Sequence, residues 1–573
     1  MTSKGKKPKP QRAKKVDKVK PQSTPSKPSS YFYWGILILV VLFTAFIRIR
    51  LLSIPLERDE GEFAYMGQLI LQGIPPYLIS YNMKLPGIYA AYALIMFIFG
   101  ESVEGIHLGF LVINAATIIM VFLLTRQLYD SYTGIIASAS FAILSVSPSV
   151  LGTSAHATHF VLLPALGGIF LMLKATDSGK LKQLFWSGML LGVSFIMKQP
   201  GGFFIIFAFL YFLFTPSESP AIYGGDNKNE ASTLYRKGGV KAPALLRFLL
   251  GAIIPFVLTI GILYKAGVFE KFWFWTFSYG KEYASRVPFS AALKIFLFQV
   301  PNVIDRFYLL WLIAGVGISA LFWDKTARTR SPFVLGFFVF SFLAVCPGLY
   351  FREHYFVLIL PAVSIMIGIG ISSFKRLVLK FQPKFQFIPM ILFLVTFFLG
   401  VLQYGSFFFG LTPFQACRAM YGANPFPESI EIAKYIKAHS QEQDKIAVLG
   451  SEPQIYFYSN RHSATGYIYV YGLMEDQKYA IKMQKEIAEE IEKANPKYLI
   501  FVNIPASWLA QERSERYIFN WFWGYCRKNF ILIGVVDILS GNQTEYRWDN
   551  EAKDYSPRSR YFLCIYKNIA RDD

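Results

Sequence analysis

Between Tyr31 and Gly410 the chain returns again and again to long, uninterrupted apolar runs, and that repetition leaves few folds open to it. Runs lie near 31–47, 106–124, 133–149, 159–173, 183–197, 201–214, 243–264, 303–323, 332–349, 355–374 and 387–410. Most approach the roughly 20 residues that carry an α-helix across bilayer hydrocarbon. The apolar run 88–99 is too short to cross easily and reads as re-entrant or lying on the membrane surface. The expectation is a polytopic α-helical membrane protein of about eleven spans. From Pro413 onward the residues resemble those of an ordinary soluble domain.

The net charge of +21 follows from this organisation and does not indicate a nucleic-acid partner. Ten Lys/Arg face one Asp within residues 1–30, a Lys/Pro/Ser-rich tail that cannot bury a core and is expected to be disordered in the cytoplasm. With that tail inside, the connecting loops carrying Lys174, Lys180, Lys182, Lys228, Arg236, Lys237, Lys325, Arg328, Arg330, Lys375 and Arg376 also fall inside, as positive-inside orientation requires. The polar segments 55–87, 150–158, 266–301 and 350–355 then gather outside, and the C-terminal domain, 413–573, is exported. The location expected is a cell membrane, crossed many times.

In 413–573, helical patterns at 428–439, 475–494 and 513–528 alternate with strand patterns at 445–450, 497–503, 530–537 and 560–566. A small soluble α/β domain follows. Cys346 falls in a span and Cys417, Cys526 and Cys564 in this domain, which permits one disulfide at most. No metal-ligand spacing and no phosphate-binding glycine loop occurs. Asn542-Gln-Thr is a glycosylation sequon that matters only in a host that glycosylates exported proteins.

The segment that resists a purely structural reading is 57–87. Glu57, Asp59, Glu60 and Glu62 lie within six positions, followed by Pro75-Pro76 and Lys84-Leu-Pro-Gly. Carboxylates crowded at a membrane surface are costly unless something uses them. Either they cap a short solvated helix, or they form an active-site loop.

The order of several short motifs resembles a known group. Arg58-Asp-Glu-Gly-Glu-Phe-Ala-Tyr, Gly73-Ile-Pro-Pro-Tyr, Lys84-Leu-Pro-Gly and Phe99-Gly look like the first outer loop of GT-C fold glycosyltransferases. Met197-Lys-Gln-Pro-Gly and His354-Tyr-Phe-Val-Leu-Ile-Leu-Pro-Ala are similar to later parts of the bacterial protein-mannosyltransferase-like and aminoarabinose-transferase-like branch. The likeness covers residues 30 to 410 and implies a GT-C catalytic domain over 31–410. It implies inverting transfer of one sugar from a polyprenyl-phosphate donor to an envelope acceptor on the outer face. Asp59 matches the family's loop aspartate and is the expected general base.

The same chemistry can be read from residue types. A hydroxyl attacking an anomeric carbon benefits from a carboxylate base, and a departing lipid phosphate needs cations or a metal. Glu60 is placed beside Asp59 to position the acceptor or a metal. Lys84, Lys198, Arg352 and His354 are the phosphate candidates. Lys84, Lys198 and Arg352 read equally well as interfacial side chains that snorkel to headgroups. His354 reads also as part of a local ion pair with Arg352 and Glu353. Glu57 and Glu62 read as solvated or structural, and His107 as a satisfied polar residue. Phe272 to Tyr279 reads as an interfacial aromatic belt or as a groove lining for prenyl chain or sugar.

One departure from the group concerns the second outer loop, which commonly carries an acidic residue there. Here it reads Ser154-Ala-His-Ala-Thr-His-Phe160, leaving His156 and His159 as contacts. A divalent cation is therefore left open and no ligand set is assigned. The rival functions are a transporter or flippase of lipid-linked sugars and a non-catalytic envelope scaffold. Transporters place functional charges at mid-membrane, often in related repeats, whereas here they lie at the outer edge and no repeat is visible.

Overall fold

The computed structural model describes residues 2, 30–178, 180–214 and 241–571. The basic tail expected to be disordered, and Lys228, Arg236 and Lys237, lie outside the described residues. Among those described, seven helices are long and apolar enough to cross a membrane: Ser30–Arg50, Val103–Leu128, Ala157–Ser178, Ala242–Lys265, Phe289–Trp323, Glu353–Phe381 and Pro383–Gln403. Five shorter apolar helices accompany them: Gly87–Phe99, Ser131–Leu144, Leu181–Met197, Gln199–Phe214 and Ser331–Val345. Gly87–Phe99 has 13 residues. At 1.5 Å rise per residue it reaches about 20 Å, short of the roughly 30 Å of hydrocarbon.

In lipid, helices gain little from burying apolar surface and associate where small residues let backbones approach. The central helix Leu360–Phe381 does this on two sides. A Cβ on Gly368 would lie 2.7 Å from the Thr133 carbonyl, and one on Gly370 2.7 Å from that of Ile313. The first span is pinned at its end by two arginines. Arg48 bonds the Asn114 side chain at 3.1 Å and the Ser145 carbonyl at 3.2 Å. Arg50 donates to the carbonyls of Phe408 at 2.7 Å and Phe407 at 3.2 Å, and to that of Leu411.

The loop after this span folds into α1 (Arg58–Leu71) and, beyond the Pro-Pro turn, α2 (Gly87–Phe99). Glu57 is the N-cap of α1 in a reciprocal capping box with Glu60. α1 is buried almost throughout, between α2, where Phe63 meets Tyr89 and Tyr92, and the C-terminal domain, where Gly61 meets Gln454.

That domain is built on a five-stranded sheet in the order β1-β2-β5-β3-β4. The strands are β1 (Ile446–Leu449), β2 (Tyr498–Asn503), β3 (Phe530–Ser540), β4 (Gln543–Trp548) and β5 (Phe562–Asn568). β1 and β2 are parallel, and the other pairs are antiparallel. α3 (Ala480–Ala494) buries Met483, Ile487 and Ile491 and turns its charged residues outward. The sequence pattern missed β4. Its signal is the two-residue Gly541-Asn542 connection, a hairpin marker between Ser540 and Gln543. All four cysteines are free thiols.

Candidate active site

A cavity of about 230 Å³ lies where α1, loops between the apolar helices and the C-terminal domain meet. Asp59, Lys84, Lys198, Arg352 and His354 all line it. Five sequence positions spread over nearly 300 residues thus share one chamber.

Asp59 sits in the first turn of α1. Its Oδ1 accepts from Lys84 Nζ at 2.9 Å and from the Tyr469 hydroxyl at 3.1 Å. Both bonds fall on one oxygen, which leaves Oδ2 for a substrate. Lys84 also pairs with Glu62 at 2.7 Å, and Tyr89 donates to the other Glu62 oxygen at 2.8 Å. Tyr77 holds Lys84 in place by donating to its carbonyl at 2.6 Å. The turn that permits this puts Tyr77 at φ 68°, strain that the packing around it sustains.

The four acids do not behave alike. Burial would raise the Asp59 carboxyl, but the Lys84 ammonium holds it well below the usual carboxylate range. Burial also raises Glu60, and contact with His107 pulls it below its ordinary value. Burial, with the Asp59 and Glu60 charges, pushes Glu57 well up, and burial raises Glu62 against the pull of Lys84. Asp59 and Glu60 thus favour the ionised form and Glu57 and Glu62 the neutral one, and of the four only Asp59 lines the cavity.

Several expectations are corrected here. Glu57 and Glu62 are not solvated, being 6% and 0% exposed. Glu60 turns away from the cavity. Its Oε1 takes the Ala155 amide at 2.6 Å and His107 Nε2 at 3.0 Å, and its Oε2 takes the Glu57 amide at 3.2 Å. It therefore ties α1 to the loop before the helix Ala157–Ser178 and does not line the cavity. Lys84 lines the cavity but is not a solvent-facing snorkelling cation: it is paired with Asp59 and Glu62. His159 packs edge-on against Phe110 at 4.8 Å and does not line the cavity. His354 makes no ion pair with Glu353 or Arg352; it is buried and stacks on His156. Phe272, Trp275 and Tyr279 are buried, and Trp275 and Tyr279 line the cavity, so the belt reading fails for that face. Trp273, 47% exposed, keeps it.

Lys198 and Arg352 line the same cavity. Lys198 ends the helix Leu181–Met197 and lies over the Tyr355 ring at 4.3 Å. Arg352 leaves a loop in which Gly348, Leu349 and Phe351 all have positive φ, and lies over Tyr350 at 5.6 Å. Among the described residues neither cation has a carboxylate partner. Both are half-buried, so part of their hydration is already lost, and an anionic ligand can supply the missing partner.

Asp59, His156 and His354 offer ligand atoms within 4.8 Å of one another, a donor set that suits a transition metal such as zinc. The geometry of the rings opposes it. His156 and His354 stack with centroids 4.2 Å apart and planes 11° from parallel. Their nitrogen lone pairs lie in those separate planes and do not converge, so ligation requires one ring to turn.

The position of the C-terminal domain suggests that it covers the site or grips the acceptor, but the sequence does not single out the residues it contributes. Tyr469, Tyr471 and Glu475 line the cavity. Glu475 is held by Arg286 at 2.9 Å and Tyr279 at 2.7 Å, which latches the outer loop after the Ala242–Lys265 span to this domain. No local motif marks these residues, because their role depends on docking.

The profile of the family described as dolichyl-phosphate-mannose-protein mannosyltransferase matches residues 84–223. No curated protein matches in sequence. Among solved structures, ArnT from Cupriavidus metallidurans in the apo state is 12% identical with a TM-score of 0.57, covering 94% of this chain and 98% of that one. The same protein bound to undecaprenyl phosphate is 11% identical with a TM-score of 0.54 over the same shares. The apo oligosaccharyltransferase of Archaeoglobus fulgidus is 14% identical with a TM-score of 0.48, covering 93% of this chain and 76% of that one. The chain is a multi-pass membrane protein with the GT-C glycosyltransferase fold.

Proposed function

We propose that this chain of GT-C glycosyltransferase fold moves one sugar from a polyprenyl-phosphate donor to an acceptor hydroxyl, with inversion, on the outer face of a cell membrane. The observation that carries this reading is one cavity lined both by Asp59, whose carboxyl is held well below the usual range, and by Lys198 and Arg352, which have no ion pair among the described residues. The phosphate sits against the cations. The acceptor oxygen gives its proton to Asp59 Oδ2 as it attacks the anomeric carbon, and the carbon–phosphate oxygen bond breaks on the far side. A single displacement of this kind inverts the centre. The profile match and the ArnT likeness support the donor class; the acceptor among protein, lipid and glycan follows from neither. Comparing envelope lipids, glycans and glycoproteins by mass spectrometry from cells with and without the gene tests the reading. One glycoconjugate shortened by a single sugar is the expected result, and an unchanged set with altered lipid distribution would point to transport.

Lys198 gives the donor step a pH dependence. Burial lowers its ammonium to about 7. In the donor-free protein it loses its proton as pH rises through that value. A bound phosphate restores the charge, so the complex holds more protons and affinity falls with rising pH. Donor KM is expected to climb above pH 7, by at most about tenfold per unit. Lys198→Arg flattens that climb; a climb unchanged in the variant would remove Lys198 from the phosphate site.

Tyr469→Phe tests the reach of the C-terminal domain into the site. It removes one hydrogen bond to the charged form of Asp59, a bond of about 1.5 kcal/mol. A fall in kcat of about tenfold with donor KM unchanged is expected. An unaltered kcat would confine Tyr469 to packing.

A further inference from the structure

A second cleft, of about 560 Å³, opens beside the catalytic cavity between the helix Phe269–Trp273 and α3. Tyr81 and Trp275 line both, so the two share a wall. We propose that this cleft binds a carbohydrate chain, the part of the acceptor that stays outside the catalytic cavity; the inference rests on the transferase reading above.

The argument is one of surface chemistry. Its volume lies in the usual range of ligand clefts, roughly 300–1,000 Å³. Tyr81 and Trp275 stack at 5.7 Å and 20°, and Tyr467 meets each edge-on, at 5.4 Å and 5.6 Å. Tyr479 closes the far end against Phe274 at 5.2 Å. Trp275 and Tyr467 are themselves buried and Tyr81 lies under Lys271 at 4.6 Å, so these rings brace the wall, and the half-buried Phe274 and Tyr479 offer the apolar C–H face of a sugar its platform.

The polar groups set the ligand class. Four carboxylates, Glu270, Glu486, Glu489 and Glu490, face three ammonium groups, Lys271, Lys482 and Lys493. That near balance suits neither a polyanion nor a polycation. It offers acceptors and donors side by side, which is what the hydroxyls of a neutral glycan require. Glu490 is engaged internally, by the Tyr81 hydroxyl at 3.1 Å and the Thr465 hydroxyl at 2.6 Å. Glu489, by contrast, is exposed, and among the described residues it has neither ion pair nor hydrogen bond. An extended peptide would seek an unpaired strand edge, and none of the residues around this cleft belongs to a strand.

The test uses the full chain in lipid nanodiscs, without donor. Fluorescently labelled neutral hexasaccharides of glucose, mannose and galactose are titrated by polarisation, with an unlabelled Ser/Thr-containing hexapeptide as competitor. At least one saccharide series is expected to bind. Tyr479→Ala and Glu489→Ala, both on the accessible side of α3, should each weaken it about tenfold and leave slow hydrolysis of the lipid-linked donor unchanged. Absence of binding by all three series, binding indifferent to both variants, or displacement by the peptide would each overturn the proposal. Because binding is read without donor, saccharide capture by a chain that transfers no sugar would overturn only the transferase reading. Transfer whose acceptor KM ignores both variants would overturn only the cleft.

Discussion

Asp59→Asn abolishes sugar transfer and leaves binding of the lipid-linked donor within a few fold of the parent. The substitution keeps the shape of the side chain and its place between Lys84 and Tyr469. What it removes is a group able to take a proton from the acceptor. General-base catalysis is worth about 10²–10⁴-fold, so kcat falls by that factor. Donor binding is proposed to rest on different residues of the same cavity, Lys198 and Arg352. Losing one negative charge near the phosphate site favours the phosphate slightly, and donor affinity is expected to hold or tighten. Single-turnover transfer and donor titration, run on the same preparation, separate the two effects. A parallel loss of transfer and donor affinity would mean that Asp59 shapes the chamber and does not act as base. Glu62→Gln is the control. It removes one of two carboxylates from Lys84 but leaves the Asp59 pair, and a decline of less than about tenfold is expected.

How legible this site was depends on the range of the signal. Apolar runs report membrane helices directly, because hydrocarbon imposes a length and a composition on each segment. The acids at 57–62 and the cations at 84, 198 and 352 were visible because each stands at the end of an apolar run, where charge is costly. Their division of labour was not visible. Asp59 and Glu60 are adjacent in sequence, yet helical geometry sends one into the cavity and the other toward His107. Lys84 looked like a phosphate ligand because nothing in the sequence says that Tyr77 turns it onto Asp59. Tyr469 and Tyr471 lie some 400 residues from the base, and only tertiary docking makes them neighbours. In the sheet, the alternation of helix and strand signals marked four strands, while β4, half-exposed along its length, carried too weak an apolar pattern.

The docking itself rests on Arg58, and Arg58→Ala is expected to have the second large effect. A cation in the first turn of a helix opposes the helix dipole, so Arg58 is poorly placed for α1 alone. Its side chain instead crosses to the C-terminal domain. It pairs with Glu452, which is fully buried, donates to the Ser451 carbonyl, and bonds Asn424 Oδ1 at 3.0 Å, with Phe426 and Tyr471 over its guanidinium at 5.2 Å and 5.6 Å. Three residues along, Gly61 meets the other domain so closely that a Cβ would lie 2.7 Å from the Gln454 backbone nitrogen. Truncating Arg58 strands the Glu452 charge in this tight interface with only the Gln454 amide, at 2.7 Å, for support. Breaking a buried pair in this way costs about 3–5 kcal/mol. The penalty falls on the contact between α1 and the C-terminal domain, so Tyr469 should leave Asp59 and protease should reach the connection 422–425 between the helices Pro413–Tyr421 and Phe426–Ala438. A lower Tm, faster proteolysis between the two domains and a loss of kcat are expected together. Arg58→Met with Glu452→Met removes both charges, and buried ion pairs replaced by apolar side chains often keep their stability. The double variant is therefore expected to recover the melting temperature and the protease resistance. It recovers kcat as well if Arg58 acts only by holding the domains together. Recovery of stability without recovery of turnover would instead assign the Arg58 charge a direct part in the field that keeps Asp59 ionised.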